Sequence, residues 1–173
     1  QRMPGGSIIK TSVVYDEPFW RGDGLTGQTT APGTAAQVTI DVCTDAGGPG
    51  MLCVITEGPT ARRLSKAGEA DRRSEILADL AARFGDKAAA PIDYVEQDWT
   101  VERYSGGGMI SHAPPGVLTE FGRALRAPCG RVHWAGTESS AVMLGWVDGA
   151  VRSGERAAAE VMKADRVAMA DAG

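Results

Sequence analysis

Hydrophobic positions along the chain follow two periods, one of about two residues and one of about 3.6. From Ser7 to Tyr15 apolar residues alternate and are rich in Ile and Val, which predicts a strand with Ile8, Lys10, Ser12 and Val14 on one face. Gln37–Cys43 repeats the alternation, with Val38, Ile40 and Val42 on one face. Gly47-Gly48-Pro49-Gly50 spells a turn, and Met51–Thr56 is the return strand of a hairpin. Thr60–Phe84 changes to helical spacing and reads as one or two helices. There Ile76, Leu77, Leu80 and Phe84 form a stripe, and Gly85 is placed to end it. Pro91–Trp99 reads as a further strand. Val132–Ala135 is a short apolar strand that stops at Gly136-Thr137-Glu138. Trp146–Met162 returns to helical spacing, with Val147, Ala150, Val151, Gly154, Ala158 and Val161 on the face expected to be buried. The small and polar stretch Ala164–Gly173 is expected to fray.

The pattern predicts an α+β fold: a mostly antiparallel sheet with helices laid on it, then a strand and helix that return elsewhere. At 173 residues the chain is long enough for one domain with a sizeable core. Hydrophobic residues make up 43% and charged residues 23%, which fits an ordinary globular protein. The net charge of −4 argues against nucleic acid or an anionic membrane as partner. No apolar run approaches the roughly 20 residues that span a bilayer. Cys43, Cys53 and Cys129 give an odd count without a CxxC, read as reduced, buried thiols in a cytoplasmic setting. A Cys43–Cys53 bridge across the hairpin stays open as the other reading. His112 and His133 do not sit at metal-ligand spacing from Cys or acidic residues, so no metal site is expected. No serine lies in a GxSxG setting.

The most informative stretch is Arg131–Glu160, RVHWAGTESSAVMLGWVDGAVRSGERAAAE. Glycines at a strand end and at a helix start let backbone come close to a ligand. A helix N-terminus adds free N–H groups and partial positive charge. Gly136, Thr137, Glu138, Gly145, Trp146 and Val147 therefore mark a candidate site for a large, flat, partly anionic cofactor.

This stretch closely resembles the C-terminal flavin-binding segment of the flavin-containing monoamine oxidase family. Gly6–Gln28, Asp98–Gly108 (DWTVERYSGGG) and Pro114–Pro128 (PPGVLTEFGRALRAP) resemble other segments of that family, in family order and spacing. The resemblance runs from about Gly6 to Val161.

It implies that residues 1–90 are a portion of the substrate-binding domain. Residues 91–163 would then be the C-terminal part of a Rossmann-like FAD-binding domain, and 164–173 a frayed tail. The family's strand–GxGxxG–helix pyrophosphate cradle is not read here, and Met3 is the first methionine. The chain is accordingly read as a C-terminal fragment or one piece of a split enzyme, with a missing N-terminal FAD-binding half as its partner.

The resemblance implies an FAD-dependent oxidation of an amine to an imine, by hydride transfer to flavin N5 and reoxidation by O2 to peroxide. Lys10 matches the lysine that holds a water against N5. Trp99 and Tyr104 match positions that pack on the isoalloxazine edge. Trp146 matches an aromatic wall of the substrate cage. Gly108 stands where the eukaryotic enzymes have the cysteine that bonds the flavin, which implies noncovalent FAD. Met109 stands where they have the second cage aromatic, which leaves the amine unspecified. An L-amino-acid oxidase is the alternative enzyme, and a non-catalytic folding unit or partner module is the alternative of another class. A second copy of the chain is a candidate partner.

Overall fold

The computed structural model describes residues 3–44 and 47–171. The chain forms two compact units, Gly5–Met109 and Ile110–Gly173 with residues 1–4.

The first unit is built on five antiparallel strands: β1 (Ile8–Tyr15), β2 (Thr29–Thr30), β3 (Val38–Asp41), β4 (Gly50–Glu57) and β5 (Asp93–Asp98). Their order across the sheet is β2-β3-β4-β1-β5. The strands expected from alternation are all present, and β3 and β4 pair as the expected hairpin. Thr60–Phe84 resolves into α2 (Gly58–Leu64) and α3 (Glu69–Phe84), following a short α1 (Phe19–Gly22). Residues 91–109, which the resemblance assigns to a flavin domain, belong to this unit, because β5 pairs with β1 from Ile9↔Asp98 to Val14↔Asp93.

Alternation on β1 separates two faces. Ile9, Val13 and Tyr15 join Leu52 and Val54 of β4 in a core closed by Leu64, Ile76, Leu80 and Phe84 of α2 and α3. Each such side chain, once buried, contributes about 1.5–3 kcal/mol. Trp20 is fully buried in the same core, with edge-to-face contacts to Tyr15 and Phe19 at 5.9 and 5.2 Å between centroids. The trio Val38, Ile40 and Val42 lies opposite the core face, where Thr39 points instead. The Thr39 hydroxyl is satisfied by donating to the Gly27 carbonyl at 2.8 Å, and Val42 is exposed beyond the strand end.

Two polar ties hold this unit. Glu96 of β5 accepts from Arg72 of α3 at 2.6 Å and from the Tyr94 hydroxyl at 3.0 Å, with both members of the ion pair largely buried. Asp41 accepts from Trp20 Nε1 at 2.9 Å, from Arg21 Nε at 2.8 Å and from the Cys43 backbone at 2.9 Å. Burial acts to raise the Asp41 carboxyl, but Arg21, Cys43 and Trp20 more than offset it and hold it well below the usual carboxylate range.

The second unit departs further from the expected pattern. Its helices are α4 (Val117–Phe121) and α5 (Val147–Asp171). Val132–Ala135 is not a strand: Val132 makes only an isolated bridge to Cys129. A strand of a parallel sheet needs partners on its flanks, and among the described residues none lies beside it. The Rossmann-like strand–helix strip is therefore not formed here. Helix α5 begins at Val147, one residue later than expected, and runs to Asp171. The stretch expected to fray is helical through Asp171, since Ala, Lys, Arg and Met favour helix and no Gly or Pro interrupts them. The last two residues lie outside the described residues.

The buried face of α5 also differs from expectation. Gly149, Ser153 and Ala157 are buried, whereas Val147, Ala150, Val151, Ala158 and Val161 are exposed and Gly154 is half-buried. The cysteines are all free, but Cys129 is exposed and Cys43 half-buried, so only Cys53 fits the reading of buried thiols. Cys129 lies in the tight turn closed by its mutual hydrogen bonds with Val132, which leaves its side chain outside any packed layer. The bare spacing GxGxxG does occur once, at Gly22-Asp23-Gly24-Leu25-Thr26-Gly27. It runs from the end of α1 towards β2, with no helix after it, so it lacks the strand–turn–helix context that binds a pyrophosphate.

Replacing Asp41 with Ala should destabilise the chain by about 1.5–3 kcal/mol, because the buried Trp20 indole N–H loses its acceptor. The lowered carboxyl of Asp41 stabilises the fold above its unfolded value, about pH 4, and that contribution is lost as pH falls. The stability gap between wild type and Asp41→Asn should thus be widest above about pH 5 and narrow toward pH 2, measured by urea titration at each pH.

Candidate functional site

The outward face of β1 carries the candidate chemistry of the first unit. Ile8, Lys10, Ile55, Trp99, Ser105, Gly107, Gly108 and Met109 line an open groove of about 480 Å³. Register places Lys10 opposite Ile55 on β4 and Gln97 on β5. Lys10 is thus an exposed ammonium on a mostly apolar wall.

Trp99 follows β5 directly. Its N–H donates to the Ile8 carbonyl at 3.1 Å, while the Thr100 hydroxyl accepts from Ile8 N–H at 3.1 Å. These bonds fix the chain where it turns into the glycine run. Gly106 N–H donates to the Glu102 carbonyl at 2.8 Å and Gly108 N–H to the Gly6 carbonyl at 2.9 Å, and the run packs closely against Gly5-Gly6. Gly107 has φ +129° and a side chain there would strike the Gly6 carbonyl. Only glycine suits that position. The Gly108–Met109 peptide is cis.

Four of the residues singled out in the sequence, Lys10, Trp99, Gly108 and Met109, therefore share one groove. Tyr104 does not line it: its ring is 88% exposed and stacks under the Arg103 guanidinium at 5.4 Å. Ile55, Ser105 and Gly107 line the groove and were missed in the sequence. The pairing of Ile55 with Lys10 is a matter of strand register, which alternation alone does not reveal.

In the second unit, Gly136, Thr137 and Glu138 form a tight turn. Ser139 N–H donates to the Gly136 carbonyl at 3.0 Å and Ser140 N–H to the Thr137 carbonyl at 3.1 Å. Arg126 donates to the Ser139 and Ser140 carbonyls at 3.1 and 2.7 Å. Ser153, on α5 and 1% exposed, accepts from Gly136 N–H at 2.9 Å. Arg126 and Ser153 were not singled out in the sequence, because both act on backbone and carry no spacing motif. Gly149 packs so closely under residues 142–143 that a side chain there would strike the Met143 carbonyl. Gly145 precedes Trp146, which is 67% exposed, and Val147 is 82% exposed.

His133 meets Glu160 of α5 at 3.0 Å, and Arg156 meets the same carboxylate at 2.6 Å. The hydrogen bond to His133, with help from Arg156, lowers the Glu160 carboxyl. His133 thus has a structural tie to α5.

Residues 1–162 match the family model described as flavin containing amine oxidoreductase. The chain belongs to this family. It is 42% identical to an L-amino acid dehydrogenase of Synechocystis sp., over 94% of this chain and 34% of that one. It is 39% identical to the flavin-containing amine oxidase B of Bos taurus, over 94% of this chain and 32% of that one. Among solved structures, cyclohexylamine oxidase from Brevibacterium oxydans superposes with a TM-score of 0.87 at 32% identity, covering 95% of this chain and 37% of its own. The chain thus spans about a third of the length of these relatives.

The cofactor of the family is FAD, and the groove of the first unit fits the ring portion of a flavin. It is largely apolar, holds the Lys10 ammonium, and is lined by Gly107 and Gly108, which carry no side chain. Gly107→Ala should destabilise this loop by about 1–3 kcal/mol, since it combines a left-handed backbone with a clash against Gly6. Thermal unfolding with an unchanged midpoint would show that the loop tolerates the methyl.

Proposed function

We propose that this chain is the C-terminal part of an FAD-dependent amine oxidase that converts an amine to its imine. The convergence of Lys10, Trp99, Gly108 and Met109 on one groove is the observation that carries this reading. FAD supplies the redox chemistry when bound, accepting a hydride from the substrate and passing electrons to O2 as peroxide.

The residues of the chain bind, orient and move protons. Lys10 projects from β1, which is paired on both sides, and would hold a water at the flavin, to which its ammonium would donate hydrogen bonds. Trp99 offers aromatic surface to the ring, and Gly108 leaves room for it. On the second unit, Gly136, Thr137 and Glu138, with Gly145, Trp146 and Val147, supply further cofactor contacts. In the first unit Met109 is proposed to contact substrate, and in the second unit, taken by itself, Trp146 is. An indole face attracts an amine cation by roughly 0.5–2 kcal/mol and guides the alkyl arm of a neutral amine. A thioether is softer and adapts to varied shapes.

A second reading rests on the 42% identity to a relative named L-amino acid dehydrogenase. In that case the substrate carries a carboxylate and needs a cation, and among the described residues that line the groove Lys10 is the cation. A panel of primary amines and L-amino acids, assayed with O2 and with an artificial acceptor, separates the two. Turnover of amines with peroxide release supports the first reading; turnover confined to amino acids replaces it with the second.

Acid precipitation of the complete protein that carries this chain should leave the flavin in the supernatant, since Gly108 has no sulfur to bond it. Flavin retained in the pellet contradicts noncovalent binding. Lys10→Met in the same protein should slow flavin reduction or reoxidation by about 10²–10⁴-fold while changing flavin affinity little. Unchanged stopped-flow traces in both half-reactions would reduce Lys10 to a structural residue.

A further inference from the structure

We infer that Thr137 is a positioning residue for Trp146, setting the direction of the indole through the backbone that carries it. The inference rests on the proposed role of Trp146 at the substrate and assigns Thr137 a task in addition to cofactor contact. The Thr137 hydroxyl is engaged in both directions by one short turn. It accepts from Gly145 N–H at 2.6 Å and donates to the Trp146 carbonyl at 3.2 Å. That carbonyl is also the first acceptor of α5, taking the Ala150 N–H at 3.1 Å. One hydroxyl therefore fixes both peptide groups that flank the Trp146 amide and the point where the helix starts.

The turn needs such a tie. Met143 has φ +52° and Gly145 φ +87°, so two left-handed residues lie within three positions. A non-glycine residue in that region is held by its surroundings and not by its own preference. Trp146 N–H closes the turn on the Met143 carbonyl at 3.0 Å, and Gly149 packs against the same carbonyl from below. The indole is two-thirds exposed, so side-chain packing does little to aim it.

The anchor itself is rigid. Gly136 N–H donates to the buried Ser153 hydroxyl at 2.9 Å, and that hydroxyl donates to the Ala150 carbonyl at 2.7 Å. Thr137 is thus fixed to the first turns of the helix whose start it defines. Small errors in such a position matter, because about 1 Å of substrate misplacement can cost on the order of 10²-fold in rate.

The test uses the complete flavin-loaded protein carrying 5-fluorotryptophan, with the Trp146 fluorine line assigned by its loss in Trp146→Phe. Thr137→Val keeps the shape and removes both hydrogen bonds. It should shift and broaden the Trp146 line and leave the Trp20, Trp99 and Trp134 lines in place. Thr137→Ser should restore the line. The kcat/KM for the amine should fall about tenfold in Thr137→Val, and add nothing further in a Trp146→Ala background, because residues acting through one another are not additive. An unmoved Trp146 line in folded Thr137→Val overturns the inference, as does weakened flavin binding with that line unchanged. In the unsubstituted protein, the Gly145 amide should exchange slowly with solvent. Free exchange there overturns the inference even where Thr137→Val fails to fold. Absence of amine turnover in the unsubstituted protein would defeat the proposed function, while the fluorine and exchange readouts still decide the role of Thr137.

Discussion

The first unit depends on the two-residue period of β1. Because successive side chains point to opposite faces, one strand serves two layers. Ile9, Val13 and Tyr15 seal the core under α2 and α3, while Ile8 and Lys10 face the groove. A slip of one residue would bury an ammonium among Leu64, Ile76 and Leu80 and turn Ile9 out to the groove. Burying an unpaired charge costs far more than any surface contact returns. The register that stabilises the core is therefore the register that presents Lys10, and no separate device is needed to aim it. Pairing on both sides, with β4 and β5, makes β1 a rigid mount for Lys10.

The second unit is held by different forces. Among the described residues, Ala157 is its one buried hydrophobic side chain, while Ser139, Ser140 and Ser153 are buried with it. Hydroxyls and the guanidinium groups of Arg126 and Arg156 satisfy backbone carbonyls and amides across the turn and α5. Apolar surface on Trp146, Val147 and Val151 stays exposed. Such a unit gains local definition from directional bonds and little from burial, so small polar residues carry its geometry. The chain spans about a third of the length of these relatives.

What the sequence revealed follows from these differences. Strands β1, β4 and β5 and helix α3 were legible because burial on one face enforces a clear period, as Ile76, Leu80 and Phe84 show on α3. The second unit was legible poorly. The apolar stripe Val147–Val151–Ala158 on α5 is real as a pattern, but the face packed here is the small one, Gly149–Ser153–Ala157. Val132–Ala135 reads as a strand by composition, yet a strand exists only with a neighbour. The groove residues Lys10, Trp99, Gly108 and Met109 were reached through resemblance to a family. Their convergence rests on the pairing of β1 with β5, a long-range contact that no local pattern encodes. Arg126 and Ser153 left no signal, since a side chain that serves backbone groups can be almost any polar residue at any spacing.

The central proposal is that flavin lies against the outward face of β1 and the glycine run, and not against the helical layer. Amide hydrogen exchange on the complete protein, compared without and with FAD, tests it most directly. New protection should appear at residues 105–109, with exchange in α2 and α3 unchanged. Protection confined to α3, or none at residues 105–109 on saturation with FAD, would contradict the account.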